Sequence, residues 1–355
     1  MELGSEYSLS ISELDVKENN VFKYLNEYNA EYFDTGRSAL KAILAMLSQT
    51  SGTILVPEYM CESVIKCYAI DKVVFYKIRD DFGIDEDDLM RKIDASVSIL
   101  FVMNYFGAVN SNTILKKIRE AAEVFHFIVI EDVTHSLFSS KASIGDYMVA
   151  SLRKWLPVPG LGVVYSKKNI PIEIDCSRYN KSRDNEKISA MILKNMYISG
   201  QLDCNSTYRE IFADCEMRID NQKEISAASD LSVFIAKCFD VNDIINKRRN
   251  NYSYLKGRLL GTEFAPVNKI DIETEVPFTY VIKLADKEKR DSLRKYLIDN
   301  RIYCAVHWPT DGICENERVG HVNNAKTLLS LPIDQRYGSA EMNHLLNVIL
   351  SFDNR

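Results

Sequence analysis

Short apolar runs alternate with amphipathic stretches through the first half of the chain. GTILVPEY from Gly52 predicts a strand and CESVIKCYAI from Cys61 a helix. KVVFYKI from Lys72 predicts the next strand, and a helix follows near 85–93. SVSILFVMNYF from Ser96 and HFIVIED from His126 are nearly continuous runs of β-branched, aromatic and aliphatic residues. NTILKKIREAAEVF, from Asn112, lies between them with apolar residues at helical spacing. Buried strands separated by helices predict a mostly parallel sheet covered on both faces. The expectation is a three-layer α/β domain spanning about residues 30–240.

DYMVAS from Asp146 and LGVVYSKK from Leu161 predict two further short strands. Residues 176–220 are polar and weakly periodic, which fits helices and loops on the outside or at a subunit contact. One long helical stretch is predicted over 226–260. The chain then reads as strand TYVIKLA (Thr279), helix KEKRDSLRKYLIDN (Lys287), strand IYCAVHW (Ile302) and helix SAEMNHLLNVIL (Ser339). This βαβα remainder predicts a smaller α+β domain. The division is therefore 1–240 for the large domain with its N-terminal segment, and 241–355 for the connecting helix and small domain. No internal repeat or low-complexity tract interrupts it.

A length of 355 residues suits two domains, and 46% hydrophobic with 26% charged residues is ordinary globular composition. The net charge of -6 argues against a broad nucleic-acid-binding surface. A membrane span needs roughly 18 apolar residues in a row, and the longest run, SILFVMNYFGAV from Ser98, is short and broken by Asn104. The opening MELGSEYSLS has neither a basic n-region nor an apolar h-region. Eight scattered cysteines form no CxxC pair. These features predict reduced thiols in a cytoplasmic protein without a zinc site or other metal.

Four stretches are candidates for chemistry, since ligands of open α/β sheets bind beyond the carboxyl ends of the strands. Thr35, Gly36, Arg37 and Ser38 precede a helical run, where outward N–H groups accept an anion; the same pattern also reads as an ordinary N-cap. Asp132 ends the strand IVIED and His135 follows three residues later; an acid there caps a turn or serves catalysis. Lys154 stands between Leu152 and Trp155, an apolar setting that lowers a lysine pKa from ~10.4; alternatively its stem lies along the surface. Ser151 is three residues earlier. VPEYMCES and VMNYFG follow strands and offer Tyr59, Tyr105 and Asn104, or simple core packing. Together, a phosphate cradle, a strand-end carboxylate, an imidazole and a desolvated lysine are the parts needed to hold pyridoxal phosphate.

With these residues in view, the chain resembles the DegT/StrS-type sugar aminotransferases, which have the aspartate-aminotransferase fold (fold type I). The likeness spans about residues 32–350. It is anchored by TGRSAL (Thr35), VPEYMCESV (Val56), MNYFG (Met103), IEDVTHS (Ile130) and SLRKWLPVPGLGVVY (Ser151). Weaker echoes are ISAAS (Ile225), NKRRNNYSYL (Asn246), AVHWP (Ala305) and LLSLPID (Leu328). The resemblance implies pyridoxal 5'-phosphate as cofactor, Lys154 as the Schiff-base lysine and proton shuttle, and Asp132 as partner of the ring nitrogen. His135 stands where the family has Gln against the ring hydroxyl. Gly36, Arg37 and Ser38 match the Gly-Thr-Ala phosphate turn, and Ser151 adds a hydroxyl. Cys61 occupies the position of the aromatic that stacks on the ring, with Tyr59 or Tyr105 as substitutes. Arg37 is an alternative anchor for a substrate carboxylate or diphosphate. Pro159–Gly162 replaces the family's Gly-Glu-Gly-Gly turn, and Glu216 stands where an Asn reaches the partner's phosphate.

The resemblance implies an aminotransferase passing an amino group from glutamate to a nucleotide-linked keto-sugar, in amino-sugar or surface-polysaccharide synthesis, as a homodimer. Lys154 argues against the dehydratase branch, which has His there. Two alternatives stand beside it. One is an aminotransferase acting on an amino acid or other small carboxylate. The other is a non-catalytic α/β nucleotide- or PLP-binding protein, for which no GxGxxG or GxxxxGK[ST] motif is present.

Overall fold

The computed structural model describes residues 2–47, 52–141, 143–167, 180–308, 314 and 317–353. Cys176, which opens the polar segment, and Pro309 of AVHWP lie outside the described residues. The longer strands are β1 (Asn29–Phe33), β2 (Thr53–Pro57), β3 (Val73–Tyr76), β4 (Val97–Met103), β5 (Ile128–Asp132), β6 (Tyr147–Ser151), β7 (Gly162–Ser166), β8 (Tyr280–Lys283) and β9 (Leu328–Leu331). The longer helices are α1 (Gly36–Met46), α2 (Asn112–Phe125), α3 (Lys181–Ile198), α4 (Asn205–Asp220), α5 (Asp230–Lys237), α6 (Val241–Leu259), α7 (Lys287–Asp299), α8 (Val319–Thr327) and α9 (Ser339–Asp353).

The chain divides into two compact units. The first comprises Met1–Ser5, Thr50–Gly145 and Ile244–Arg355. Its strands run in the order β5-β4-β2-β3, and every pairing is parallel. Leu55, Val56, Leu100, Phe101, Val129 and Ile130 are fully buried, as the continuous apolar runs require. The register sets Met103 beside Asp132, so the carboxyl ends of β4 and β5 are level. Helix α2 begins where Ser111 Oγ accepts the Ile114 N–H. His126 closes it at φ 60, in the left-handed region, so it caps a helix rather than opening a strand, and β5 starts at Ile128. The later part of this unit pairs β8 and β9 antiparallel, Tyr280 opposite Leu331. Their core includes Tyr252, Leu255, Leu293, Leu297, Leu345 and Ile349 from α6, α7 and α9.

The second unit comprises Glu6–Gln49 and Asp146–Asp243. Its strand order is β1-β7-β6, and β7 runs against both neighbours. Helix α1 follows β1 directly. Helices α3 and α4 form from the polar segment and carry buried Ala190, Met191, Phe212 and Cys215.

Three sequence expectations are corrected. The stretch 226–260 holds two helices: Ser229 Oγ accepts the Ser232 N–H at α5, and Asp240 Oδ1 accepts the Asp243 N–H where α6 begins anew. CESVIKCYAI forms only the single turn Glu62–Ile65. IYCAVHW is a strand only over Ile302–Tyr303, with an isolated bridge from Ala305 to Ser330. Strand β1 was not anticipated, because it has only one fully buried position and shows no apolar run.

Candidate functional site

In the second unit the turn between β1 and α1 is built by close approach. Thr35 caps α1: its Oγ1 accepts the Ser38 N–H at 3.0 Å. A Cβ on Gly36 would meet Ser151 Cβ at 2.9 Å, so the helix start seats on the end of β6. A Cβ on Gly162 would lie 2.1 Å from the Thr35 carbonyl oxygen, and one on Gly160 2.4 Å from that of Asp34. The Pro159–Gly162 turn therefore packs against the helix start. Behind it, buried Arg183 donates to Asp34 Oδ2 (3.1 Å), Asp184 Oδ1 (2.8 Å) and Gln222 Oε1 (2.6 Å). Gln222 in turn reaches Asp34 Oδ2 at 2.8 Å and Ser38 Oγ at 3.4 Å. Ser38 Oγ thus faces this inner network, and Arg37 pairs with Asp220 at 2.9 Å.

Lys154 ends the short turn Leu152–Lys154 that follows β6. Leu152 and Trp155 are fully buried while Lys154 is exposed. Of the two readings of this lysine, its exposure fits the stem lying along the surface, while its two apolar neighbours belong to the core. The turn is fastened by Leu152 N–H to the Leu161 carbonyl (2.8 Å) and by Tyr7 Oη to the Lys154 carbonyl (3.4 Å). Beside it, Glu216 on α4 accepts from Arg153 at 2.8 and 2.9 Å and from Lys187 on α3 at 2.5 Å. Burial raises the Glu216 pKa, but the two cations outweigh it and bring it to about 2.

In the first unit Asp132 ends β5 and is nearly buried. Burial raises its carboxyl pKa, opposed by the Thr134 N–H, which Oδ1 accepts at 2.8 Å. Buried His135 lies nearly parallel to Phe278, with ring centroids 4.2 Å apart and an 11° interplanar angle. Its Nδ1 accepts the Phe106 N–H at 3.3 Å, which leaves the neutral ring's proton on Nε2. The turn that supplies this N–H has Phe106 at φ 56 and Gly107 at φ 105. A Cβ on Gly107 would meet the Val276 carbonyl oxygen at 2.4 Å.

The other candidates serve this turn and the loop after β2. Asn104 donates to Glu131 Oε1 at 2.9 Å and accepts from Asn110, so its carboxamide braces the strand ends. Tyr59 and Tyr105 stack at 5.6 Å within a buried aromatic cluster with Phe82 and Phe106. Tyr105 Oη donates to the Tyr59 carbonyl at 2.5 Å, and Tyr59 Oη to that of His307. Cys61 is half-buried, with Sγ 3.0 Å from Ser63 Oγ. Sequence reasoning missed Glu58, Arg183, His307, Trp308, Arg318 and His321. Glu58, His307 and Trp308 lie within the stretches VPEYMCESV and AVHWP but were not singled out there; Arg183 and Arg318 are fixed by partners distant along the chain, and His321 by Arg318.

Among the described residues no group of three or more His, Cys, Asp or Glu side chains is placed to hold a metal ion. No described helix is long and apolar enough to cross a membrane.

No family model matches the chain, and no curated protein matches it by sequence. Solved structures do. The aminotransferase TlmJ from Streptoalloteichus hindustanus is 13% identical with a TM-score of 0.68, covering 100% of both chains. Spr1654 from Streptococcus pneumoniae, assigned as a sugar aminotransferase and solved in its PMP form, is 17% identical with a TM-score of 0.65; 98% of this chain and 93% of that one are covered. A DegT DnrJ EryC1 StrS aminotransferase from Brucella abortus is 15% identical with a TM-score of 0.64, covering 94% and 88%. At these identities the likeness shows the fold: a mixed α/β architecture with a mostly parallel sheet, of the fold type I pyridoxal phosphate enzymes.

Proposed function

We propose that the chain is a pyridoxal phosphate-dependent aminotransferase that moves an amino group from glutamate to a nucleotide-linked keto-sugar. The observation that carries this reading is the placement of Asp132 at the end of β5 and of Lys154 just past the end of β6, in a fold shared with aminotransferases. When bound, pyridoxal phosphate supplies an aldehyde and a ring that withdraws electrons from the bond being broken.

The residues suit that group. The exposed Lys154 Nζ is the amine that takes the aldehyde and then carries a proton to and from the substrate carbon. A buried carboxyl such as Asp132, whose ionisation burial disfavours, gains from a protonated ring nitrogen beside it. His135, with its proton on Nε2, is a donor to the ring hydroxyl oxygen. Gly36 admits the first-turn N–H groups of α1 to a phosphate, with the Arg37 backbone and the Ser151 hydroxyl beside it. Ser38 serves by its place in the turn, since its hydroxyl faces Gln222. Cys61 takes the ring-face position; Tyr59, Tyr105 and Asn104 hold the surrounding loops.

In this reading residues 1–240 bind the cofactor and 241–355 form the smaller domain. The enzyme is a cytoplasmic homodimer with α3 and α4 at the subunit contact. The cysteines Cys61, Cys67, Cys204, Cys215, Cys238, Cys304 and Cys314 are not joined in disulfides, which suits a reducing compartment. A keto-acid acceptor anchored on Arg37 is the second reading, and it requires the substrate to displace Asp220.

The test is glutamate-dependent turnover of nucleotide keto-sugars against a panel of keto-acids. Activity on the sugars is expected. Activity confined to keto-acids replaces this reading with the second, and a chain that stays colourless with pyridoxal phosphate removes both.

A further inference from the structure

Arg318, just before α8, is a fully buried charge in the first unit that the proposed function leaves unused. It is 1% exposed, and its guanidinium grips the loop after β2 from a position 256–260 residues away in sequence. Nε donates to the Glu58 carbonyl at 2.8 Å, Nη2 to the Met60 carbonyl at 2.7 Å, and Nη1 to Glu62 Oε1 at 2.5 Å. Nη2 also lies 2.6 Å from His321 Nδ1. A planar fork meets these acceptors together; a lysine ammonium at one point does not. The helix start seats on the same loop. Glu58 Oε2 accepts the Gly320 N–H at 3.2 Å, and a Cβ on Gly320 would lie 2.4 Å from Glu58 Oε1.

We propose that Arg318 is a positioning residue that clamps residues 58–62 and so presents Cys61 to the face of the cofactor ring. Glu58, Tyr59 and Met60 are buried, whereas Cys61 is half-buried, so the pinned loop offers that side chain outward. Cys61 is smaller than the aromatic expected at a ring face. A small side chain makes useful contact only if its backbone is held in place, because it cannot reach across a gap. The clamp supplies this restraint at both the carbonyls and the first helical turn. Four interactions from one buried guanidinium also offset the cost of burying its charge. The clamp itself is read from this chain's contacts; the ring-face role rests on the cofactor reading.

Arg318→Met in the full-length chain tests both parts. The first readout, without cofactor, is the rate at which iodoacetamide labels Cys61, resolved by peptide mass spectrometry, with buried Cys304 as internal reference. The second is the Kd for pyridoxal 5'-phosphate from its absorbance. We expect Cys61 labelling to rise at least about 5-fold with Cys304 unchanged, and Kd to weaken at least about 10-fold. Arg318→Lys keeps the charge without the fork, is expected to fall between, and carries the comparison if the Met variant does not fold. Equal labelling of Cys61 in wild type and variant overturns the clamp. Faster labelling with an unchanged Kd overturns the ring-face role. A wild-type chain that takes up no cofactor removes that role together with the cofactor reading, while the labelling ratio still decides the clamp.

Discussion

The guanidinium of Arg153 donates twice to the carboxylate of Glu216, at 2.8 and 2.9 Å, one residue before Lys154. This contact ties α4 to the turn that carries the proposed cofactor lysine. In the proposed reading, Glu216 takes the position at which the sugar aminotransferases carry an Asn directed at the partner's phosphate. Here its charge is matched within its own unit by Arg153 and Lys187.

Glu216→Gln tests the strength of that arrangement. The folded-state pKa lies near 2, below the ordinary value of 4.5, so the stabilisation is present above about pH 4.5 and is lost as pH falls through 2. Urea unfolding at pH 7 should show the variant less stable by roughly 2 kcal/mol, allowing for partial exposure. The gap should narrow steadily between pH 4.5 and 3. A constant gap across that range contradicts the assignment.

Lys154→Ala should lower turnover by at least about 10⁴-fold, as expected when an essential nucleophile is removed. Its side chain is exposed, so thermal unfolding should change by no more than about 0.5 kcal/mol. Borohydride treatment of the wild type with pyridoxal phosphate should place the label on Lys154, and a label elsewhere refutes the role.

For Asp132 the sign is opposite to that of Glu216. Its folded pKa is raised by burial, so its stabilising effect is complete below the unfolded value and is lost as pH rises through the folded one. Asp132→Asn should therefore melt above wild type at pH 8 without cofactor. Turnover should nevertheless fall roughly 10²–10³-fold, the scale of one preorganised electrostatic contact. A variant that is both active and less stable would contradict both halves.

His321 is held neutral: burial, then the Arg318 charge, lowers its pKa from 6.5 to about 4. The stability it contributes is complete above 6.5 and is lost as pH falls toward 4. His321→Asn keeps an acceptor for Arg318 but does not titrate. Its unfolding free energy should start lower, through lost packing on Tyr59, and should decline less steeply between pH 6.5 and 4. Parallel curves for the two proteins would assign that acid sensitivity elsewhere.

The strands β2, β4, β5, β6 and β7 were legible as short continuous apolar runs, as strands buried on both faces require, and the helices α2, α7 and α9 because their apolar positions recur at helical spacing. Edge strand β1 and the division between α5 and α6 were not. The first is half-exposed, and the second depends on whether Asp240 caps a new helix or sits inside an old one.

The candidate site divides along the same line. Sequence alone offered the proposed chemical parts and their order, Gly36, Asp132, His135 and Lys154, because residue type and strand-end placement are local properties. Tertiary structure decided which groups are engaged elsewhere. It gave Arg37 to Asp220, turned Ser38 toward Gln222, left Lys154 exposed, and set Arg318 on the loop bearing Cys61. Those outcomes depend on burial and on hydrogen bonds between segments far apart in the chain, and no periodicity or motif encodes them.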